Sequence, residues 1–368
     1  MSKGKIDGVQ IGRGLAALAV VVAHAFAHPL PEAPHVSWLL GRFGVTLFFV
    51  ISGFIMVFVT GAERFDPVRF IRHRVLRIAP MYYLATLFVV IVSLVAPSVF
   101  KNTVFSIPHI VKSLLFIPAY RPANGAIEPF FKLGWTLNYE MYFYVCFALL
   151  FALKSTARAV ILTSFFLLSV AVGRLMHFDS AILTFYTGYD VIGFAAGMWV
   201  AEWWRRQATT TRLRTPGGLS ALFGLAVVAT IVAFTMDAGK APRVDRQLLM
   251  VLSSVALVTA FSLIASVGSS KAAHVAKYIG DASYSIYLTH MFAVGFAGAI
   301  FHKFFSAAGV TGYLAASLFG LIAGIVGGCL CYAFVEKPLG KLVHRATGGL
   351  KARASTPGPN AAAAVVDR

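Results

Sequence analysis

The chain has 368 residues, 58% of them hydrophobic and only 12% charged, with a mean hydropathy of +0.78. A soluble domain carries about 25% charged residues, so this composition excludes an ordinary soluble enzyme. The formal net charge of +18 would suggest nucleic acid in a soluble protein; in so apolar a chain it reads first as basic residues gathered on one side of a membrane.

Apolar stretches of about 20 residues recur from end to end, long enough to cross a bilayer as helices. Lipid gives the backbone no hydrogen-bond partner, so these stretches must be helical, since barrel strands would be shorter and alternating. Ten segments are predicted: 9–28, 43–60, 78–97, 135–153, 159–177, 186–204, 216–236, 247–267, 283–301 and 311–334. The expected fold class is therefore all-α, a polytopic transmembrane bundle of about ten helices over residues 1–346. Residues 347–368, rich in Gly, Ala and Pro, are expected to form a disordered cytoplasmic tail. With the N-terminus inside, 22 of the 32 Lys and Arg residues fall on the inner side, which places both termini in the cytoplasm. Lys3 and Lys5 ahead of an apolar run resemble a secretory signal, but Arg13 and His24 lie within that run.

The first helix carries the first candidates. Arg13 and His24 are eleven residues apart, which returns them to one helix face about 16 Å apart along the axis. Ionisable groups are costly in a membrane and usually face a cavity or a partner. The structural alternative is a snorkelling Arg and a His bonded to a neighbouring helix. In the second segment, Ser52-Gly53-Phe54 is not a Gly-x-Ser-x-Gly elbow; Gly53 reads as a close helix contact.

The inner stretch that follows runs from Asp66 to Pro80 and holds Arg69, Arg72, Arg74 and Arg77. Arg74 and Arg77, three residues apart, share a helix face just below the membrane. Their planar forks suit phosphate, and the competing reading is lipid-headgroup anchoring. Residues 98–134, rich in Pro and aromatics, form the longest outer loop, a place to grip an external substrate. No second soluble domain is expected.

The fourth segment opens with Trp135-Thr136-Leu137-Asn138-Tyr139-Glu140. Glu140 lies about 8 Å below the outer edge, at a depth similar to His24. The two can form a His–Glu pair in which the carboxylate fixes the tautomer and raises imidazole basicity; the alternative is a buried Glu paired to any Arg or Tyr. His290, after Ser283-Tyr284-Ser285-Ile286-Tyr287-Leu288-Thr289, reads as core packing or as a further cavity residue. Cys146, Cys329 and Cys331 lie inside apolar runs and form neither a disulfide framework nor a metal spacing with His, so they read as small buried residues and no metal is expected.

The order of these segments resembles the membrane acyltransferase 3 family, which includes bacterial exopolysaccharide O-acetyltransferases. The resemblance covers about residues 7–340. It rests on Arg13-Gly14-Leu15-Ala16-Ala17 followed by His24, on Phe43-Gly44-Val45 with Phe48 to Phe54, and on Arg74-x-x-Arg77-Ile78-x-Pro80. Trp135-Thr136-Leu137 with Glu140, Ser283 to Leu288 with His290, and Val335-Glu336-Lys337-Pro338-Leu339 complete it. Many members carry two consecutive acidic residues after the Trp; here Tyr139 precedes Glu140, leaving one carboxylate.

The resemblance implies an acyl-CoA donor, acetyl-CoA in particular, used as a co-substrate with no tightly bound cofactor. It implies a glycan or lipid-linked sugar acceptor, membrane lipids as surroundings, no nucleic acid, and a place in the bacterial inner membrane. Arg72, Arg74 and Arg77 would hold the donor's phosphates and Arg13 its pantetheine or phosphate portion. His24 would be general base, assisted by Glu140; a covalent acyl-His is the alternative. A reading from another class is a transporter or flippase for a lipid-linked glycan. That reading calls for two related halves with broken helices, and the sequence holds no internal repeat.

Overall fold

The protein is described by a computed structural model covering residues 6–27, 35–96, 104–207, 216–235, 243–305, 309–343 and 345. The expected tail, 347–368, lies outside the described residues.

Among the described residues, twelve α-helices follow in chain order: α1 Asp7–Ala27, α2 His35–Thr60, α3 Pro67–Val95, α4 Ile107–Leu114, α5 Trp135–Leu149, α6 Ser155–Leu175, α7 Ala181–Tyr186, α8 Val191–Arg206, α9 Pro216–Thr235, α10 Arg243–Leu263, α11 Lys271–Ile300 and α12 Gly309–Cys331. All but α4 and α7 coincide with the ten predicted segments. Among the described residues, eight helices are long and apolar enough to cross a membrane, and the chain is a multi-pass membrane protein. The other two segments, α5 and α8, are shorter, with 15 and 16 residues.

The helix ends have local causes. Pro67 opens α3, where its missing N–H costs nothing, and the Asp66 carboxylate accepts from Arg69 N at 3.0 Å. The helix has 29 residues, about 44 Å, which exceeds the roughly 30 Å hydrocarbon core. Its first ten residues, with the Arg run, are thus left beyond the apolar part. Ser270 caps α11 in the same way, accepting from Ala273 N at 3.2 Å.

The centre of the bundle is α1, which packs against α2, α10, α11 and α12; α2 in turn packs against α8 and α10. Small residues set these crossings. A Cβ on Gly53 would run into the Phe194 carbonyl, and one on Gly197 into the Val50 carbonyl, so α2 and α8 touch backbone to backbone. A Cβ on Gly280 would strike the Gln10 carbonyl where α11 crosses α1. The expected packing role of Gly53 is what the structure shows. Phe194 stacks on Phe49 at 4.5 Å and on Phe143 at 4.6 Å, joining α2, α5 and α8. Large apolar side chains such as Leu84, Leu87, Phe88 and Ile91 are exposed along α3, as expected of a face toward lipid.

The loop after α3 is described from residue 104. Tyr82 and Tyr83 hydroxyls donate to the carbonyls of Ser113 and Leu114 at 3.2 and 3.0 Å, and Phe130 N donates to Ser113 Oγ at 2.7 Å. These bonds fold α4 and the approach to α5 onto the middle of α3, which fixes where α5 starts and therefore where Glu140 stands.

Candidate functional site

A cavity of about 380 Å³ runs through the bundle, lined from five helices. It takes Gln10 and Arg13 from α1, Arg74, Arg77 and Ile78 from α3, Thr136, Leu137, Glu140 and Tyr144 from α5, and Tyr284 and Tyr287 from α11. From α2 its lining extends between Val45 and Val59, about 21 Å of helical rise. It is a long, narrow and mostly apolar slot with charge concentrated on four side chains.

Three of those charges are arginines predicted from sequence. Arg13 Nη1 donates to Gln10 Oε1 at 3.1 Å. Arg77 Nη1 donates to Glu336 Oε1 at 2.6 Å, and its guanidinium lies 5.9 Å from the centre of the Tyr284 ring. Glu336 also accepts from Ser285 Oγ at 2.5 Å. Arg74 lies 6.0 Å from the Phe70 ring centre, and its buried Nε has no hydrogen-bond partner among the described residues. A buried donor without a partner is uncommon, and here it sits in a cavity wall. Arg72 is about 160° around α3 from Arg74 and is not a lining residue.

The fourth charge is Glu140. Its Oε2 accepts from Tyr144 Oη at 3.1 Å, and the charges of Arg13, Arg74 and Arg77 all bear on it. Tyr144 Oη is 3.3 Å from Ser52 Oγ. Since the phenol gives its proton to the carboxylate, Ser52 donates to Tyr144.

His24 stands beyond the end of the cavity marked by Val45. Gly44 of α2 lies against Ala16, and Gly41 lies against Ala23, so His24 is level with α2 residues that precede Val45. Phe48 and Tyr287, with ring centroids 5.8 Å apart, close that end. The Tyr287 ring lies 6.2 Å from the His290 ring. His24 Nδ1 is 2.9 Å from Val20 O and 3.3 Å from His290 Nε2. The structure thus sets His290 at the nitrogen for which the sequence suggested Glu140, and sets Glu140 among the cavity arginines.

The sequence points to no role for Glu336 or Tyr144, and for His290 only to core packing or a further place on the cavity wall. A carboxylate beside an apolar run is costly unless paired, and that was the available signal for Glu336. The three cysteines are free and only partly buried.

The family model described as "Acyltransferase domain" matches residues 6–333. The chain is 34% identical over 330 residues to the exopolysaccharide production protein ExoZ of Rhizobium meliloti (strain 1021), covering 89% of this chain and 99% of that one. No solved structure matches it.

Proposed function

The chain belongs to this acyltransferase family, and we propose that it moves an acyl group, acetyl in particular, from acyl-CoA to a sugar hydroxyl of an exopolysaccharide or its lipid-linked precursor. The observation that carries the reading is the cavity itself: three arginines, one whose buried Nε has no hydrogen-bond partner among the described residues, along an apolar slot whose Tyr287 ring lies 6.2 Å from that of His290, the neighbour of His24. Guanidinium groups suit phosphate, and the apolar length suits an extended thioester arm. The similarity to ExoZ, an exopolysaccharide production protein, supports an exopolysaccharide acceptor.

In this reading the donor's phosphates lie against Arg74 and Arg77 at the inner end, with Arg72 at the entrance, and Arg13 holds the following portion. The thioester passes Phe48 and Tyr287 to reach His24. Nε2 of His24 takes the proton of the acceptor hydroxyl as that oxygen attacks the thioester carbonyl. The carbon–sulfur bond breaks, and the thiolate leaves with the proton returned from His24. Glu140 assists from the cavity wall by holding the arginine forks and accepting from the donor's amides. The protein lies in the bacterial inner membrane with both termini in the cytoplasm, and the ordered outer loop grips the glycan.

The test gives purified protein labelled acetyl-CoA and a panel of glycan acceptors. Label on sugar is the expected result; label confined to acetyl-CoA and free acetate across the panel contradicts it.

A further inference from the structure

We propose that His290 is a positioning residue for His24: its Nε2 accepts from the Nδ1–H of His24 and stabilises the positive charge that ring acquires when it takes the acceptor's proton. This rests on the reading of His24 as general base. The hydrogen positions follow from the partners. Nδ1 of His290 faces two carbonyl oxygens, Tyr287 O at 2.7 Å and Ile286 O at 3.2 Å. A carbonyl only accepts, so that nitrogen carries the proton, and a neutral ring then has its lone pair at Nε2. Nδ1 of His24 likewise faces a carbonyl, Val20 O at 2.9 Å, and therefore donates. The 3.3 Å contact between the rings runs from His24 Nδ1–H to His290 Nε2.

Two consequences follow. The basic nitrogen of His24 is Nε2, the one turned away from His290. The Val20 carbonyl already accepts within α1, so His290 supplies the additional lone pair when His24 becomes an imidazolium. A third group that orients a base and steadies its charged form is the general arrangement for histidine catalysis. Here the third group is itself a histidine, neutral and fully buried, in an environment where an anion would be costly. His290 does not take the proton; it remains a neutral acceptor throughout.

The structure offers a pair of substitutions with opposite expectations. The amide nitrogen of His290→Asn falls near Nδ1, keeping the bond to the Tyr287 carbonyl and losing the acceptor. The amide oxygen of His290→Gln falls near Nε2 and keeps the acceptor. At matched membrane abundance, His290→Asn should lose about 10- to 100-fold in kcat, as do partners that fix a working histidine, with donor KM unchanged. His290→Gln should stay closer to the parent. A purely packing role predicts equal losses or the reverse order, and either overturns the proposal. ¹⁵N NMR of histidine-labelled parent protein needs no such substitution: His24, assigned by loss of its signal in His24→Ala, should carry its proton on Nδ1, and the opposite tautomer contradicts the proposal. Kinetics of His24→Ala separate the two levels. If that variant is active, the base reading fails; if it is inactive while His290→Asn matches the parent, only the role of His290 fails.

Discussion

Arg77 Nη1 donates to Glu336 Oε1 across 2.6 Å, tying the first turns of α3 to the π-helical turn that follows α12. Glu336 is buried, and Arg77 is partly open to the cavity. Removing Arg77 therefore does two things: it takes a cation from the cavity and leaves a buried carboxylate without its partner. Arg77→Ala should lower thermal stability in detergent as well as donor affinity, by about 1–3 kcal/mol of unfolding free energy, below the cost of fully buried pairs because the pair is part-exposed. The double variant Arg77→Ala with Glu336→Gln should recover part of the stability and none of the affinity. Thermal unfolding and donor titration of all three proteins check this.

Arg74 gives the cleaner donor test. Among the described residues its Nε has no hydrogen-bond partner, and Glu140, on which its charge bears, keeps Tyr144, Arg13 and Arg77 when Arg74 is replaced by Ala. Losing a charge-assisted hydrogen bond should cost about 1.5–3 kcal/mol of donor binding, roughly 10- to 150-fold. Donor affinity equal to the parent in this variant, measured by titration with acetyl-CoA, would leave only the lipid-anchor reading.

The α2–α8 crossing predicts sensitivity far from the charges. Gly53→Val and Gly197→Val both place a branched side chain against a facing carbonyl. Each should cost about 1–3 kcal/mol or more, the range for overpacking, and should reduce accumulation in the membrane. Gly224, which has open space around it, is the control: Gly224→Val should accumulate as the parent does.

Sidedness has its own check. The bias of Lys and Arg puts position 115, after α4, on the outer side. A reporter fused there should be active only when external, and a cytoplasmic signal contradicts the orientation.

The helices were legible because a membrane span has a strong signature: length and hydropathy together find all ten segments and place their C-terminal ends within a few residues. The starts differ most for α2, α3 and α11, which begin at His35, Pro67 and Lys271, before the predicted 43, 78 and 283. Their first turns are polar or basic, and a hydropathy reading stops where the apolar run stops although the helix continues. That Arg13, Arg74, Arg77 and Glu140 face a cavity or a partner was legible through charge in apolar surroundings; that Glu140 stands with the arginines and not at His24 was not. Pairings were not. Arg77 with Glu336 and His24 with His290 join residues 259 and 266 positions apart, and helix spacing carries no information on which helices meet. Arg158 shows the same limit: it counts as a loop charge in sequence, yet is fully buried between the rings of Phe65 and Phe147, at 4.5 and 4.7 Å, and donates to the Leu153 carbonyl at 2.8 Å. Its methylenes and planar fork fill a gap that only the folded chain creates.

The central claim is that His24 takes the acceptor's proton, and acetyl transfer by His24→Ala at matched membrane abundance tests it most directly. General-base catalysis contributes about 10²–10⁴-fold, so transfer from labelled acetyl-CoA to sugar should fall by at least that much. Donor affinity, set by Arg74 and Arg77 at the other end of the cavity, should be unchanged. Activity within a few-fold of the parent would contradict the account and leave His24 a structural residue of α1.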